Sequence, residues 1–303
     1  MPGKPRYLTL LLLFTAGMSM IVNGQHFQSC IQAENRLSEI LSLINKATND
    51  GTKDSLNQVF STELSEILIL EGSDNYPFDS LKTLVKLKSP DHKFRIFHWN
   101  LPSADGKHRY FGFIKMTGLA PPLIYQLVDF SDSLVSPDTL LLDNMHWPGA
   151  LYYKVIPGET SSGGTIYTLL GWAGRNQTIT QKVIEILSFD GDNKPHFGYK
   201  LFPDYKNGSM TRIVFRFGAT TTMSLKFEKQ TIVSNKKWNI KKRDFDYSLQ
   251  TSDMIVFDKM VPLDPLLEGQ FQYYVAAGDT FDGFLFSNHF WTFIAGIDTR
   301  NKK

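Results

Sequence analysis

His98 and Trp99 close the run SPDHKFRIFHWN, where a proton-carrying side chain meets a flat aromatic one. An imidazole takes up and releases a proton near neutral pH. An indole offers a face on which a sugar or aromatic ligand stacks. Strand alternation puts Phe94, Ile96 and His98 on one face and Arg95, Phe97 and Trp99 on the other. Both faces are then largely apolar, the pattern of a strand covered on two sides. A histidine ending such a strand is satisfied by packing and hydrogen bonds as readily as it serves a ligand. With Trp147, Trp172 and Trp291, these two residues make up the candidate ligand-binding set.

Other chemistries find less support. The histidines, at 26, 92, 98, 108, 146, 196 and 289, include no HExxH pair, and a single cysteine excludes CxxC, so no metal site is expected. DGDNK at 190–194 begins like a calcium loop but lacks its later glycine and closing Glu, and a hairpin turn accounts for it. No GxSxG occurs. The Ser234–Lys237 pair of SNKK stands in a lysine-rich stretch, not at a helix start. Asp129, Asp132, Asp143, Asp258, Asp264, Asp279 and Asp282 lie around aromatic-rich loops. Two carboxylates facing across a cleft, with Trp147, Trp172 or Trp291 as a platform, would make a glycan hydrolase. In the structural reading, Asp caps turns and Trp fills β cores. No catalytic set emerges and no cofactor is implied. The basic run NKKWNIKKR at 235–243 has the composition of a patch for nucleic acid or another anionic surface. It is short, and Asp244 and Asp246 follow it, so a solvated loop is expected and nucleic acid is not.

These residues need elements to hold them. A chain of 303 residues, 42% apolar and 20% charged, makes one large domain or two small ones with a real core. The 13% aromatic content favours pleated, half-buried surfaces. A net charge of +2 sets up no global field toward nucleic acid or acidic lipid. Lys4 and Arg6 precede the apolar run 8–22, with small Gly24 after it. That pattern is a secretory signal peptide, residues 1–24, cleaved near Gly24; the run is short for a membrane span. The protein is expected to be secreted or periplasmic, with no transmembrane span once the signal is removed. Cys30 has no partner for an internal disulfide and is expected to be buried as a small apolar residue.

Apolar residues at Ile31, Leu37, Ile40, Leu41 and Ile44, and again at Leu56, Val59, Phe60, Leu64, Ile67 and Leu68, follow the helical period. TNDGT between them predicts a turn with a glycine stop. This is a helical hairpin over 25–74, with Glu34, Glu39, Glu63 and Glu66 on its solvated side. From about residue 81 the texture changes to short strands split by turn residues, with no stretch between them long enough for a crossover helix. Hairpins in sequence order predict an antiparallel domain over 75–303. The expected fold class is mainly β (α+β): a helical hairpin, then a large antiparallel β domain, propeller-like or a sandwich. The strand–turn–strand form of LKSPDHKFRIFHW is of the kind found in propeller blades, though its looser copies are irregularly spaced.

The segments FRIFHWN, YTLLGWAGRNQTITQKVIEILSFDGDNKPHFG and IVFDKMVPLDPLLEGQFQYYVAAGDTFDGFLF together resemble uncharacterised secreted β-rich proteins of Bacteroidetes-type bacteria, over most of the chain after residue 75. The resemblance implies an exported β-rich protein and carries no activity. Export without a catalytic set predicts a non-enzymatic binding or cell-envelope protein, meeting an envelope protein or a glycan through aromatic loops. The alternative is a periplasmic glycan-active hydrolase with paired carboxylates.

Overall fold

The computed structural model describes residues 28–208 and 210–297; the expected signal peptide lies outside them. Two helices come first, α1 (28–46) and α2 (Asp50–Ile69). The predicted glycine stop is not used: Gly51 lies in the first turn of α2. The punctuation is Asn49, whose side chain accepts from the Thr52 amide at 2.8 Å and satisfies one of the unpaired donors at the helix start. Asn49→Ala is expected to cost about 1 kcal/mol, seen as a lower urea midpoint with an unchanged slope.

Most of the two apolar stripes is buried, through Leu37, Ile40, Leu41 and Ile44 on α1 and Phe60, Leu64, Ile67 and Leu68 on α2, while Ile31 and Leu56 are half-buried and Val59 is exposed. Cys30 is buried, and burial pushes its thiol pKa up, which keeps it from being a ready thiolate. Glu34 corrects the expected solvated face. It is buried, and it accepts from the Tyr76 hydroxyl and the Ser80 amide, each at 2.5 Å.

Three open sheets follow. In the first, β1 (Val85–Lys88), β2 (Phe94–Pro102), β3 (His108–Met116) and β4 (Leu123–Val128) neighbour one another in chain order. The second contains β5 (Leu142–Asp143), β6 (Leu151–Glu159), β7 (Thr165–Gly174), β8 (Ile179–Phe189) and β9 (Pro195–Phe197), in the order 5-9-8-7-6. β10 (Ile213–Gly218) also pairs with β8, so β9 and β10 share the β8 edge that β7 leaves open. The third is the antiparallel meander β11 (Leu225–Asn239), β12 (Asp244–Pro262), β13 (Tyr274–Ser287) and β14 (Phe290–Ile297). The second and third sheets share one core. Ile166, Leu170, Ile184, Ile186 and Phe215 pack with Ile255, Phe257, Phe284 and Trp291, as in a sandwich.

The chain is thus mainly β with two N-terminal helices, and none of its sheets closes into a barrel. Several strands differ from expectation. β13 runs unbroken through AAGDTFDG despite its Gly and Asp residues, and LIYQLV forms β4. NKKWN belongs to β11, and only 240–243 forms the turn. β12 pairs with β13 from Met254 onward, so its first ten residues pair only with β11 and form a two-stranded ribbon. The register of this ribbon shifts between Val233 and Asn235, leaving position 234 as an extra residue.

Two compact units result. Of the described residues, one holds 28–86, 92–97 and 113–125; the other holds 87–91, 98–112 and 126–297 without 209. In the first unit, buried cations hold the end of α2 against the strands. Arg95 donates to the carbonyls of Ser73 and Tyr76, both at 2.7 Å. Lys115 donates to Ser73 Oγ at 2.5 Å and pairs with Asp74.

Candidate functional site

Charge set inside apolar strands marks the site in the second unit. Gln181, Val183 and Glu185 lie on one face of β8. Arg212, Val214 and Arg216 lie on the matching face of β10 and the residue before it. The opposite faces, with Ile184, Ile186, Ile213, Phe215 and Phe217, belong to the core. Antiparallel register sets Arg216 against Gln181 and Val214 against Val183. One step further, Arg212 Nε donates to Glu185 Oε2 at 2.7 Å, with both side chains 1% exposed.

A pair this deep is stable only when its remaining donors and lone pairs are also used. Arg212 Nη1 donates to Leu140 O at 3.0 Å and to Pro137 O, and Nη2 donates to Phe197 O at 3.1 Å. Glu185 accepts in addition from the Ile186 amide at 3.0 Å. One guanidinium thereby fastens segment 137–140 to the β8–β10 edge. Gly198, at φ +96°, leaves room for it: a Cβ there would stand 2.7 Å from Leu140 O and 2.8 Å from Arg212 Nη2. Burial pushes the Glu185 carboxyl up, and Arg212 in contact pulls against that rise.

These side chains wall a cavity of about 190 Å³, together with Arg175 beyond the end of β7 and Tyr152 of β6. Arg175 Nε donates to Gln181 Oε1 at 2.8 Å and Nη2 donates to Pro148 O at 3.0 Å. Its Nη1 has no protein partner among the described residues, and no carboxylate lies in ion-pair contact with it there. Burial opposes its charge; Tyr110, Asp129 and Asp132 support that charge through space. Arg216 Nη2 meets Asp138 Oδ2 at 2.9 Å, and its guanidinium lies 5.7 Å from the Phe271 ring centre. The Tyr152 hydroxyl accepts from Trp147 Nε1 at 3.0 Å, and its own proton has no protein acceptor among the described residues. Burial raises its pKa well above the ordinary phenol value, so it stays a donor. The wall therefore presents several donors, while its one carboxylate, Glu185, is held by Arg212. Such a set recognises an oxyanion.

The five residues singled out from the sequence do not line this cavity. Two of them stand directly behind it. The Tyr152 amide donates to His98 Nε2 at 2.7 Å, and the same nitrogen lies 3.1 Å from the Tyr152 carbonyl. Trp147 holds the hydroxyl of the same tyrosine. His98 and Trp147 are both 0% exposed and act by positioning Tyr152. Trp99, 2% exposed, stacks on Phe111 at 5.8 Å. Trp291, also 2% exposed, donates from Nε1 to Thr168 Oγ1 at 3.0 Å. Trp172 is half-buried, edge-on to His108 at 5.2 Å. His98, Trp99, Trp147 and Trp291 are thus buried in this structure, and Trp172 is the most exposed of the five.

The aspartates behave as turn caps. Asp129 accepts from the amides of Tyr110 and Ser131, Asp143 from Met145 and His146, Asp258 from Ser224, Asp264 from Leu266 and Asp282 from Gly296, all at 2.7–3.0 Å. Asp132 pairs with Lys107 at 3.7 Å, and nothing is described of the Asp279 side chain. In DGDNK, Asp190 accepts from the amides of Asp192 and Lys194, which makes the motif a hairpin turn. No group of three metal-ligating side chains occurs among the described residues. The residues overlooked in the sequence are Glu185, Arg212 and Arg216. Their signal is a charge in the middle of an apolar strand, VIEIL and TRIVFRF, where ionised side chains are rarely found unless paired.

Compared with family models, curated proteins and solved structures, the chain matches none.

Proposed function

We propose that this is an exported, non-enzymatic binding protein whose ligand is a small molecule bearing an oxyanion, held between Arg175 and Arg216. The observation that carries this reading is Arg175 itself: a guanidinium walled into a cavity, with unspent donors and no carboxylate in contact. Arg216, Gln181 and the Tyr152 hydroxyl add donors that converge on the same space. A volume of about 190 Å³ is below the ~300–1,000 Å³ of sites for drug-sized molecules, so it fits a single acidic sugar or a smaller anion. An acidic residue of an envelope glycan satisfies both the chemistry and the export expected from the basic and apolar leader. The hydrolase alternative needs two carboxylates across a cleft. Here Asp129, Asp143, Asp258, Asp264 and Asp282 cap turns, Asp132 pairs with Lys107, and Glu185 is paired with Arg212.

Isothermal titration with glucuronate, phosphate and sulfate, against neutral glucose, tests the proposal and separates the oxyanion sources. At least one anion should bind saturably and glucose should not. Arg175→Gln should weaken that binding by ten- to a hundredfold, the effect of losing a charged hydrogen-bonding group, while leaving the unfolding midpoint nearly unchanged. Binding that Arg175→Gln leaves intact, equal binding of glucose, or no binding by any of the anions refutes it.

A further inference from the structure

The β11–β12 ribbon carries two unlike faces. Residues directly opposite in an antiparallel pair share a face, and the register places Trp238 with Phe245, Val233 with Leu249 and Thr231 with Thr251 on one of them. Asn239 with Asp244 and Lys237 with Asp246 fall on the other. The first face, which also takes the Lys236–Tyr247 pair, exposes apolar side chains: Trp238 is 51%, Val233 52% and Leu249 69% exposed, and Ile240 at the turn is 82% exposed. The Trp238 and Phe245 rings meet edge to face at 4.9 Å, which holds the indole in place at the tip.

Charge is concentrated on the same element. Residues 229–253 hold six Lys and Arg against three Asp, a balance of +3, while the whole chain carries +2. Everything outside the ribbon therefore sums to −1, and the near-neutral total conceals a polar molecule. Of the tip cations, Lys242 pairs with Asp246 at 2.8 Å; Lys237, Lys241 and Arg243 make no ion pair among the described residues. We propose that this ribbon is a membrane-docking finger, which places Ile240 and Trp238 in the headgroup region of an anionic lipid bilayer while the surrounding cations meet its phosphates. Interfacial Trp beside Lys and Arg is the composition that suits this boundary. A second copy of the chain is a poorer occupant, because it would bring two +3 ribbons together. A nucleic acid would use the cations and leave Ile240 and Leu249 in water.

Sedimentation of the full chain with vesicles of phosphatidylglycerol and phosphatidylcholine, against vesicles of phosphatidylcholine alone, tests the finger. The apolar run 8–22 is common to all variants, so differences between them read the ribbon. Lys241→Ser with Lys242→Ser should weaken binding to the anionic vesicles about thirtyfold. Ile240→Ser with Trp238→Ser should weaken it about tenfold or more, and 0.5 M salt should mimic the lysine variant. Circular dichroism checks that each variant folds; all four side chains are exposed, so none should disturb the core. Equal sedimentation with both vesicle types, binding insensitive to both double variants, a ribbon-dependent dimer in solution without lipid, or ribbon-dependent retention on DNA and not on vesicles would each overturn the proposal.

Discussion

Arg212→Met should destabilise the protein by about 3–5 kcal/mol, the range for stripping one partner from a buried ion pair. The substitution removes the contact to Glu185 and the donors that three carbonyls share, at Pro137, Leu140 and Phe197. The glutamate left behind is buried and has lost its cation. Its carboxyl will take a proton more readily than the ordinary value of 4.5, because burial favours the neutral form. A carboxyl raised in the folded state contributes stability that is fully present below its unfolded value and is lost as pH rises through the folded one. The deficit of Arg212→Met should therefore be smallest below about pH 4.5 and should grow toward neutrality. Urea titrations at pH 4 and pH 7 measure both points. Adding Glu185→Leu should recover most of the loss, since an apolar pair of similar volume replaces a buried ionic pair at little cost. A loss under about 1 kcal/mol, or one that does not change with pH, would show that the pair is not holding the 137–140 segment.

Trp291→Ala should cost a similar amount, about 3–5 kcal/mol, through the cavity it opens. Trp291 joins a core built from both sheets, packs on Phe286 with ring centres 5.0 Å apart, and donates to Thr168. Trp291→Phe keeps most of the ring volume and loses the hydrogen bond, so about 1–2 kcal/mol is expected. The series separates a packing tryptophan from a ligand platform. A packing residue lowers the unfolding midpoint and leaves oxyanion affinity unchanged at temperatures where the variant is folded. Normal stability with lost binding would restore the platform reading.

The architecture was legible because it rests on periodicity. The 3.6-residue stripes placed both helices, and alternation with turn residues placed most strands. The misses have local causes. β11 extends through NKKWN because cross-strand pairing with β12 outweighs the weak strand preference of Asn and Lys. Gly51 signalled a stop, but the Asn49 side chain had already set the boundary. Glu34 followed the helical period yet is buried, because Tyr76 and Ser80 come to it from more than forty residues away, a pairing no local pattern reveals. The cavity was hidden for the same reason. Arg175, Glu185 and Arg212 lie on different segments, and only the sharing of the β8 edge by β9 and β10 brings them to one wall. The conspicuous residues of the sequence are aromatic, and His98, Trp99, Trp147 and Trp291 all lie in the interior.

The extra residue at position 234 sets the parity of the ribbon. Along β12 the odd-numbered residues 245, 249 and 251 look one way throughout, whereas β11 changes from odd to even as it crosses the irregularity, from 231 and 233 to 238. Only that change of phase lets the tip indole share a side with Val233 and Leu249. Deleting one residue there would make the ladder regular while leaving Val233 opposite Leu249 and Trp238 opposite Phe245, so both sides of the ribbon should keep their side chains and only its local twist should relax.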